Sequence, residues 1–471
     1  FQLNGGKDGL YMIIPLVQMS VYNNIRSNIA IQESKVARLT NTLVTGIHPA
    51  MAGVRDLFNE GKVSIVHSVS YPSASQSHFR ASDIWFTGAS SNQTLTTGWL
   101  GRYLDTEFPG YPEKYPSAAM PDPLAIQINY ITSTALLGPL QSMAIALQNP
   151  DTFATLVGDK VSIDPSTTAN TPSGRSIAFI RQQQITSVQY AGQIKVAAAK
   201  GKNLVAYPTG NSLADQLKIV ARLIHGGMRT KVYYVSIGGF DTHATQTDAT
   251  DTSIGAHANL LKQVSDGIKA FMDDLRVLGI DKRVAGMTFS EFGRRAGSNS
   301  ARGTDHGQAA PLFVFAGEGI KTQFVGKNPN LSDLDNNTIK MQTDFRSVYS
   351  ALLTDWLGET TNTSTSVLLK GYDPAPMFRQ IVAATEDPFV TFRMYPNPAV
   401  SDVMIESELF GPGGVQSLRV VDMTGRQLNV PVERLNNDAY RLSVRELPIG
   451  NYVVAVEANK RKLTNRLMVS L

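Results

Sequence analysis

The stretch that most narrows what this chain can fold into is residues 231–243, Lys-Val-Tyr-Tyr-Val-Ser-Ile-Gly-Gly-Phe-Asp-Thr-His. Its β-branched and aromatic run, 232–237, is short and apolar, as in a buried strand, and it ends in a glycine pair that lets the backbone turn sharply. Asp241 and His243 follow at once. They therefore stand at the carboxyl end of a core strand, where open α/β sheets place their ligands.

The opening segment has the same grammar: a strand, then Gly5-Gly6-Lys7-Asp8-Gly9, then a second apolar run over 10–16. Residues 50–60 read as an amphipathic helix and 63–69 as the next strand, so helix and strand alternate as in a layered α/β fold. A hydroxyl-rich loop over 72–85 enters a helix and carries Ser77, His78 and Arg80, and 98–104 is a short helical piece. The prolines of 109–123 predict an irregular excursion. Helices over 176–199 and from 213 lead back to the 232–237 strand. A Thr- and Asp-rich loop over 244–253 follows, and apolar residues at helical spacing predict a helix over 254–278. Strands at 284–289 and 311–316 flank Ser290-Glu291-Phe292-Gly293-Arg294 and Gly303-Thr304-Asp305-His306-Gly307, and 343–357 reads as a closing helix.

After residue 384 the pattern changes to period-two alternation, with strands predicted at 391–394, 403–407, 417–422, 440–444, 452–457 and 463–469. Turn signals at 396–398, 411–414, 424–425 and 449–451 separate them, the pattern of a small β-sandwich. This divides the chain into an α/β domain, 1–386, and a β-sandwich, 387–471.

The balance of 43 basic against 39 acidic residues, without a block of like charge, leaves no electrostatic footprint for nucleic acid. No apolar run approaches the ~20 residues that span a bilayer. Cysteine is absent, so thiolate metal sites are unavailable. The chain opens on Phe1-Gln2-Leu3 without an initiator Met, and a leader is expected to have preceded it.

Asp8, Asp241 with His243, Glu291, and Asp305 with His306 all fall at predicted strand ends or in the loops beyond them, and Ser77-His78 adds a hydroxyl and its neighbouring imidazole. Carboxylates and neutral imidazoles suit a divalent ion such as zinc, manganese, magnesium or calcium. Such an ion could activate water or a serine toward a phosphoryl or sulfuryl group. Each residue also has an ordinary reading. Asp241 and Asp8 could cap turns, Glu291 could pair with Arg294, and Ser77 could cap the helix it precedes. His48, His67, His225 and His257 read as structural.

Gly5-Gly6-Lys7-Asp8-Gly9-Leu10, Ser77-His78-Phe79-Arg80, Thr97-Gly98-Trp99-Leu100-Gly101-Arg102, the 238–243 and 290–294 blocks, Gly303-Thr304-Asp305-His306-Gly307 and Thr343-Asp344-Phe345-Arg346 resemble the signature blocks of domain of unknown function family 1501. That family is similar in fold to the alkaline phosphatase and sulfatase superfamily. The resemblance implies a mainly parallel sheet between helical layers, with Asp8 as first metal ligand, Ser77 as nucleophile, Asp241 and His243 as a ligand pair and His306 as a late ligand. Where active phosphatases carry an adjacent Asp-His, this chain has Glu291-Phe292, which implies a reduced, single-metal site. Tyr395-Pro396-Asn397-Pro398, the 418–422 strand with Thr424-Gly425-Arg426, and the 447–454 stretch resemble the carboxy-terminal sorting domain of type IX secretion substrates of the Bacteroidota. This implies export to the cell surface or medium, with the type IX translocon as partner.

The expectation is an exported metal-dependent hydrolase of phosphate or sulfate esters with catalytic Ser77 and His78 and metal ligands Asp8, Asp241, His243, Glu291, Asp305 and His306. The competing expectation is a non-catalytic, self-associating surface binding or assembly protein.

Overall fold

The computed structural model describes residues 1–157, 168–169, 171–379, 392–407, 410–411, 415–422, 426–458 and 461–470. The chain divides into two compact units, the larger holding Phe1–Pro116 and Met120–Ile381 and the smaller the strands beyond residue 392. The boundary expected at 386/387 and the turn expected at 424–425 lie outside the described residues, as does part of the 411–414 turn and the first residue of the 391–394 strand.

In the larger unit, Val63–Ser70 and Ala310–Ala316 are buried at every position, as continuous apolar runs covered on both faces should be. They pair antiparallel, and Ala310–Ala316 pairs antiparallel with Ala285–Met287 on its other edge. Val63–Ser70 takes Phe324–Val325 and Thr343–Asp344 in parallel. Beyond Met287 the chain stays extended, so that the Leu3 amide donates to the Phe289 carbonyl at 2.7 Å and the Phe289 amide to the Phe1 carbonyl at 2.9 Å. Gln2–Leu3 thus lies between Phe289 and Ser236–Ile237, parallel to both.

The strand expected over 232–237 forms but changes partner within its length. Val232–Tyr234 pairs with Ala125–Ile128, which also takes Ala144–Leu147, whereas Ser236–Ile237 pairs with Gln2–Leu3. Along this path every pairing is parallel except the two made by Ala310–Ala316. The unit is therefore α/β with both kinds of pairing, and a separate antiparallel sheet is built from Ala37–Arg38, Thr45–Ile47 and Ile13–Pro15.

The helices at Pro172–Lys200, Ser212–His225 and Ala256–Val277 lie where the sequence puts them. Leu261, Val264, Ile268, Phe271 and Leu275 are buried, one face at three- and four-residue spacing. The structure settles one element and corrects another. The apolar run after Asp8 begins as a helical turn, Gly9–Met12, because the Asp8 carboxylate caps it by accepting from the Tyr11 amide. The closing helix loses its first two residues to the sheet, runs as Phe345–Ala351, and widens over Leu352–Trp356.

The smaller unit is all β. Arg393–Tyr395, Asp402–Glu406, Ala439–Ser443 and Val432–Arg434 form one antiparallel sheet, and Gln427–Leu428, Val415–Asp422, Gly450–Ala458 and Arg461–Val469 the other. Val403, Ile405, Leu442, Val454 and Val456 share one core, the inward half of a period-two pattern. Among the described residues no helix is long and apolar enough to cross a membrane.

Candidate functional site

Strand-end loops meet where the Gln2–Leu3 and Ser236–Ile237 strands finish. Their approach is backbone to backbone: Gly5 sits at φ +122°, and a Cβ on it would lie 2.5 Å from the Asp241 amide nitrogen. The 303–306 loop closes on the same place, since a Cβ on Gly303 would lie 2.2 Å from the His243 carbonyl oxygen. Glu291, just past the Ala285–Met287 strand, accepts from the Gly5 amide at 2.9 Å, and His78 opens the helix His78–Thr87.

These loops gather three imidazoles around one carboxylate oxygen. Asp241 Oδ1 lies 3.1 Å from His243 Nε2, 3.2 Å from His306 Nε2 and 3.5 Å from His78 Nε2. The Nε2 atoms of His243 and His306 are 3.0 Å apart. Each ring turns its other nitrogen to an acceptor. His78 Nδ1 is 2.7 Å from Glu291 Oε1, His306 Nδ1 is 2.8 Å from the Gln76 carbonyl, and His243 Nδ1 is 3.5 Å from Asp305 Oδ1. A carbonyl or carboxylate partner places the ring proton on Nδ1 and leaves the Nε2 lone pair facing the others. The Nε2 of His78 is buried without a hydrogen-bond partner among the described residues.

Arg294 ties the loops together. Its buried guanidinium donates to the carbonyls of Gly5, Gly6, Phe240 and Thr304 and to Asp241 Oδ1. The Glu291–Arg294 ion pair suggested by adjacency does not form. Glu291 instead takes His78 and the Ser290 hydroxyl, and Arg294 takes Asp241. Burial alone would raise the Asp241 pKa, but Arg294, His306 and His243 outweigh it and bring it down to about 2. Phe292 walls the cluster, its ring centroid 4.8 Å from that of His78 and 4.6 Å from that of His306.

Of the residues singled out in the sequence, His78, Asp241 and His306 offer donor atoms all within 4.8 Å of one another, and His243 touches two of them. Glu291 and Asp305 stand behind the imidazoles rather than among the Nε2 atoms. Asp8 is not brought to this place. It is 1% exposed, paired with Arg26, and also accepts from Gln246 at 2.6 Å and from the Tyr11 amide at 3.1 Å. His257 is structural, accepting from the Asp8 amide at 3.2 Å. Ser77 is exposed at the start of its helix and its side chain makes no capping bond. Arg294 is the residue that sequence reasoning misassigned; its block in the sequence marks it, but not its partner.

His78 and Asp241 line a cleft of about 750 Å³. Its wall continues through Phe79, Ser82, Asn129 and residues 131–134, and it is the open approach to the cluster.

Residues 178–361 match the family described as a protein of unknown function, DUF1501, and residues 393–470 match the secretion system C-terminal sorting domain. The second match identifies the all-β unit as the signal handled by type IX secretion, so the protein is delivered to the cell surface or outside the cell. No curated protein matches the chain. Among solved structures the chain is similar to the one titled "Crystal structure of Ps i-CgsB", at 9% identity over 76% of this chain and 77% of that chain, with a TM-score of 0.29.

Proposed function

We propose that the larger unit is an alkaline-phosphatase-like body in which His78, Asp241, His243 and His306 hold one divalent cation, and that the exported protein hydrolyses phosphate or sulfate esters there. The observation that supports this reading is the convergence of three imidazole Nε2 atoms on one carboxylate oxygen, each ring anchored from behind. An ion with bonds of about 2.0–2.1 Å in tetrahedral geometry separates its donors by about 3.3 Å. Four of the six donor separations, 3.0, 3.1, 3.2 and 3.5 Å, lie near that value, and His78, Asp241 and His306 have donor atoms all within 4.8 Å of one another, with His243 joining through Asp241 and His306. Three nitrogens and one oxygen suit zinc or manganese better than magnesium or calcium, which prefer oxygen. When bound, such an ion supplies Lewis acidity toward an ester oxygen.

The remaining work falls to the chain. Glu291, Asp305 and the Gln76 carbonyl hold the imidazole tautomers, Arg294 fixes Asp241, and Phe292 keeps water from the cluster's inner side. Ser77, whose exposed side chain makes no hydrogen bond among the described residues and which leads directly into His78, is the nucleophile of this reading. With both Asp8 oxygens occupied by protein donors, the proposal is for one metal.

Metal analysis of the purified full chain tests this. Stoichiometric zinc or manganese is expected, lost in His306→Ala and Asp241→Ala together with turnover of p-nitrophenyl phosphate or sulfate. A native chain that neither contains nor takes up a divalent ion sinks the proposal. A non-catalytic, self-associating binding protein is the second reading, favoured by the bare apolar side chains beside the cleft, Phe79 at 91% and Ile131 at 76% exposure. Bound metal without turnover would select it.

A further inference from the structure

The cleft beside the cluster has a chemistry of its own. Its lining holds no lysine or arginine, and its charged members are Asp83, Asp241 and, when protonated, His78. Asp83 is already paired with Arg80, whose Nη2 donates to the carbonyls of Ser90, Ser91 and Gln93. A polyanion such as nucleic acid binds by neutralising its phosphates with cations along the track, and here the track offers carboxylates. An apolar peptide needs an apolar groove, and nine of the nineteen residues lining this one carry an amide or hydroxyl side chain.

What the wall does offer is neutral hydrogen-bonding capacity that the protein leaves unused. The side chains of Asn4, Ser82 and Thr134 make no hydrogen bond among the described residues, and Asn129 spends only its carbonyl oxygen, on the Tyr130 amide. Phe79 stands 91% exposed among them, and Phe86 is half-buried in the same wall. A bare ring beside donors and acceptors of both kinds matches a ligand that is polar at its edges and weakly apolar on its faces.

The space is also elongated. A second cleft of about 600 Å³ shares residues 131–134 with the first and runs on past Tyr130, between Leu156, Val157 and Phe179, to Gln183, Gln184 and Ser187. Either alone has the size that takes one compact ligand, roughly 300–1,000 Å³, so two sharing a wall fit a chain of several units.

We infer that this double cleft binds a neutral polyhydroxylated chain, a carbohydrate, with Phe79 stacking on a sugar face and Asn4, Ser82, Asn129 and Thr134 taking its hydroxyls. The orientation, with an ester-bearing unit at His78 and Asp241, rests on the hydrolase reading; the binding does not.

Calorimetric titration of the full chain with maltohexaose, cellohexaose and xylohexaose tests the inference, with hexagalacturonate and a single-stranded DNA oligomer as charged comparators. Saturable binding of at least one neutral hexamer is expected, roughly tenfold weaker in Phe79→Ala, whose side chain packs on no core, and in Asn129→Ala. Chelator treatment should leave it unchanged, so a native chain that binds sugar yet neither contains nor takes up a divalent ion would fail the hydrolase reading alone. No heat from any neutral hexamer overturns the inference, as does tighter binding of a charged comparator or unaltered affinity in Phe79→Ala.

Discussion

Two places in the larger unit start from the same local sequence, Gly-Gly-X-Asp at the end of a strand, and end in opposite states. Asp8, after Gly5-Gly6-Lys7, is 1% exposed and its oxygens are filled by Arg26, Gln246 and the Tyr11 amide. Asp241, after Gly238-Gly239-Phe240, keeps a side chain 48% exposed at a cleft, one oxygen shared among Arg294 and three imidazoles. The glycine pair delivers an acid to the strand end in both cases. Whether that acid becomes a structural anchor or a site is decided by residues far away in the chain: Arg26 and Gln246 for one, His78 and His306 for the other. A carboxylate whose oxygens are all taken by buried protein donors is finished; one that shares an oxygen among three imidazoles at an open cleft is not.

The largest effect expected from this contrast is at Arg26. Arg26→Met keeps the bulk and removes the charge, leaving a buried carboxylate uncompensated at a cost of about 3–5 kcal/mol. Urea unfolding at neutral pH should report that loss, with metal content of the remaining folded protein unchanged. A loss below about 1 kcal/mol would show the two acids to be less different than their surroundings make them. The pair also carries a pH signature. Burial opposes ionisation of Asp8, but Arg26, His257 and Gln246 outweigh it and hold its carboxyl below the usual value. The unfolded chain therefore takes up the proton first, so this stabilisation is complete above about pH 4 and is lost as the pH falls toward the folded value. In Arg26→Met that acid-induced loss should flatten.

Glu291 sharpens the comparison from the other side. It is as buried as Asp8, yet one of its oxygens is spent on His78 Nδ1 at 2.7 Å and so serves the open cluster. Glu291→Gln preserves an acceptor for the Gly5 amide and removes the charge behind the imidazole. Metal affinity by competition titration should drop about 10–100-fold, with the unfolding midpoint moved far less than in Arg26→Met. Unchanged affinity would make Glu291 a structural acid like Asp8.

How much of this was readable without coordinates follows from the same contrast. The strand ends, the glycine turns and the acids they deliver are local patterns, and 238–243, 290–294 and 303–307 do meet. Arg294 was not readable, because its guanidinium gathers carbonyls from Gly5, Gly6, Phe240 and Thr304 and nothing beside it in the chain says so. Nor was the change of partner at Val235, since an apolar run announces a strand and not its neighbour. In the smaller unit, alternation at Tyr452, Val454 and Val456 marks a half-buried strand. Val432–Arg434 is exposed throughout and leaves no such mark.

The smallest structural effect, and the finest test of the open site, belongs to Ser77. Its side chain caps nothing, so Ser77→Ala should shift stability by no more than about 0.5 kcal/mol. It should equally leave metal content intact, because the proposed donors are His78, Asp241, His243 and His306. If Ser77 is the nucleophile, ester turnover falls to background in a protein otherwise indistinguishable from the parent. Turnover that survives would move the attack to water and leave Ser77 as surface. The measurement discriminates because, unlike every residue around Asp8, Ser77 can be removed without disturbing anything the fold depends on.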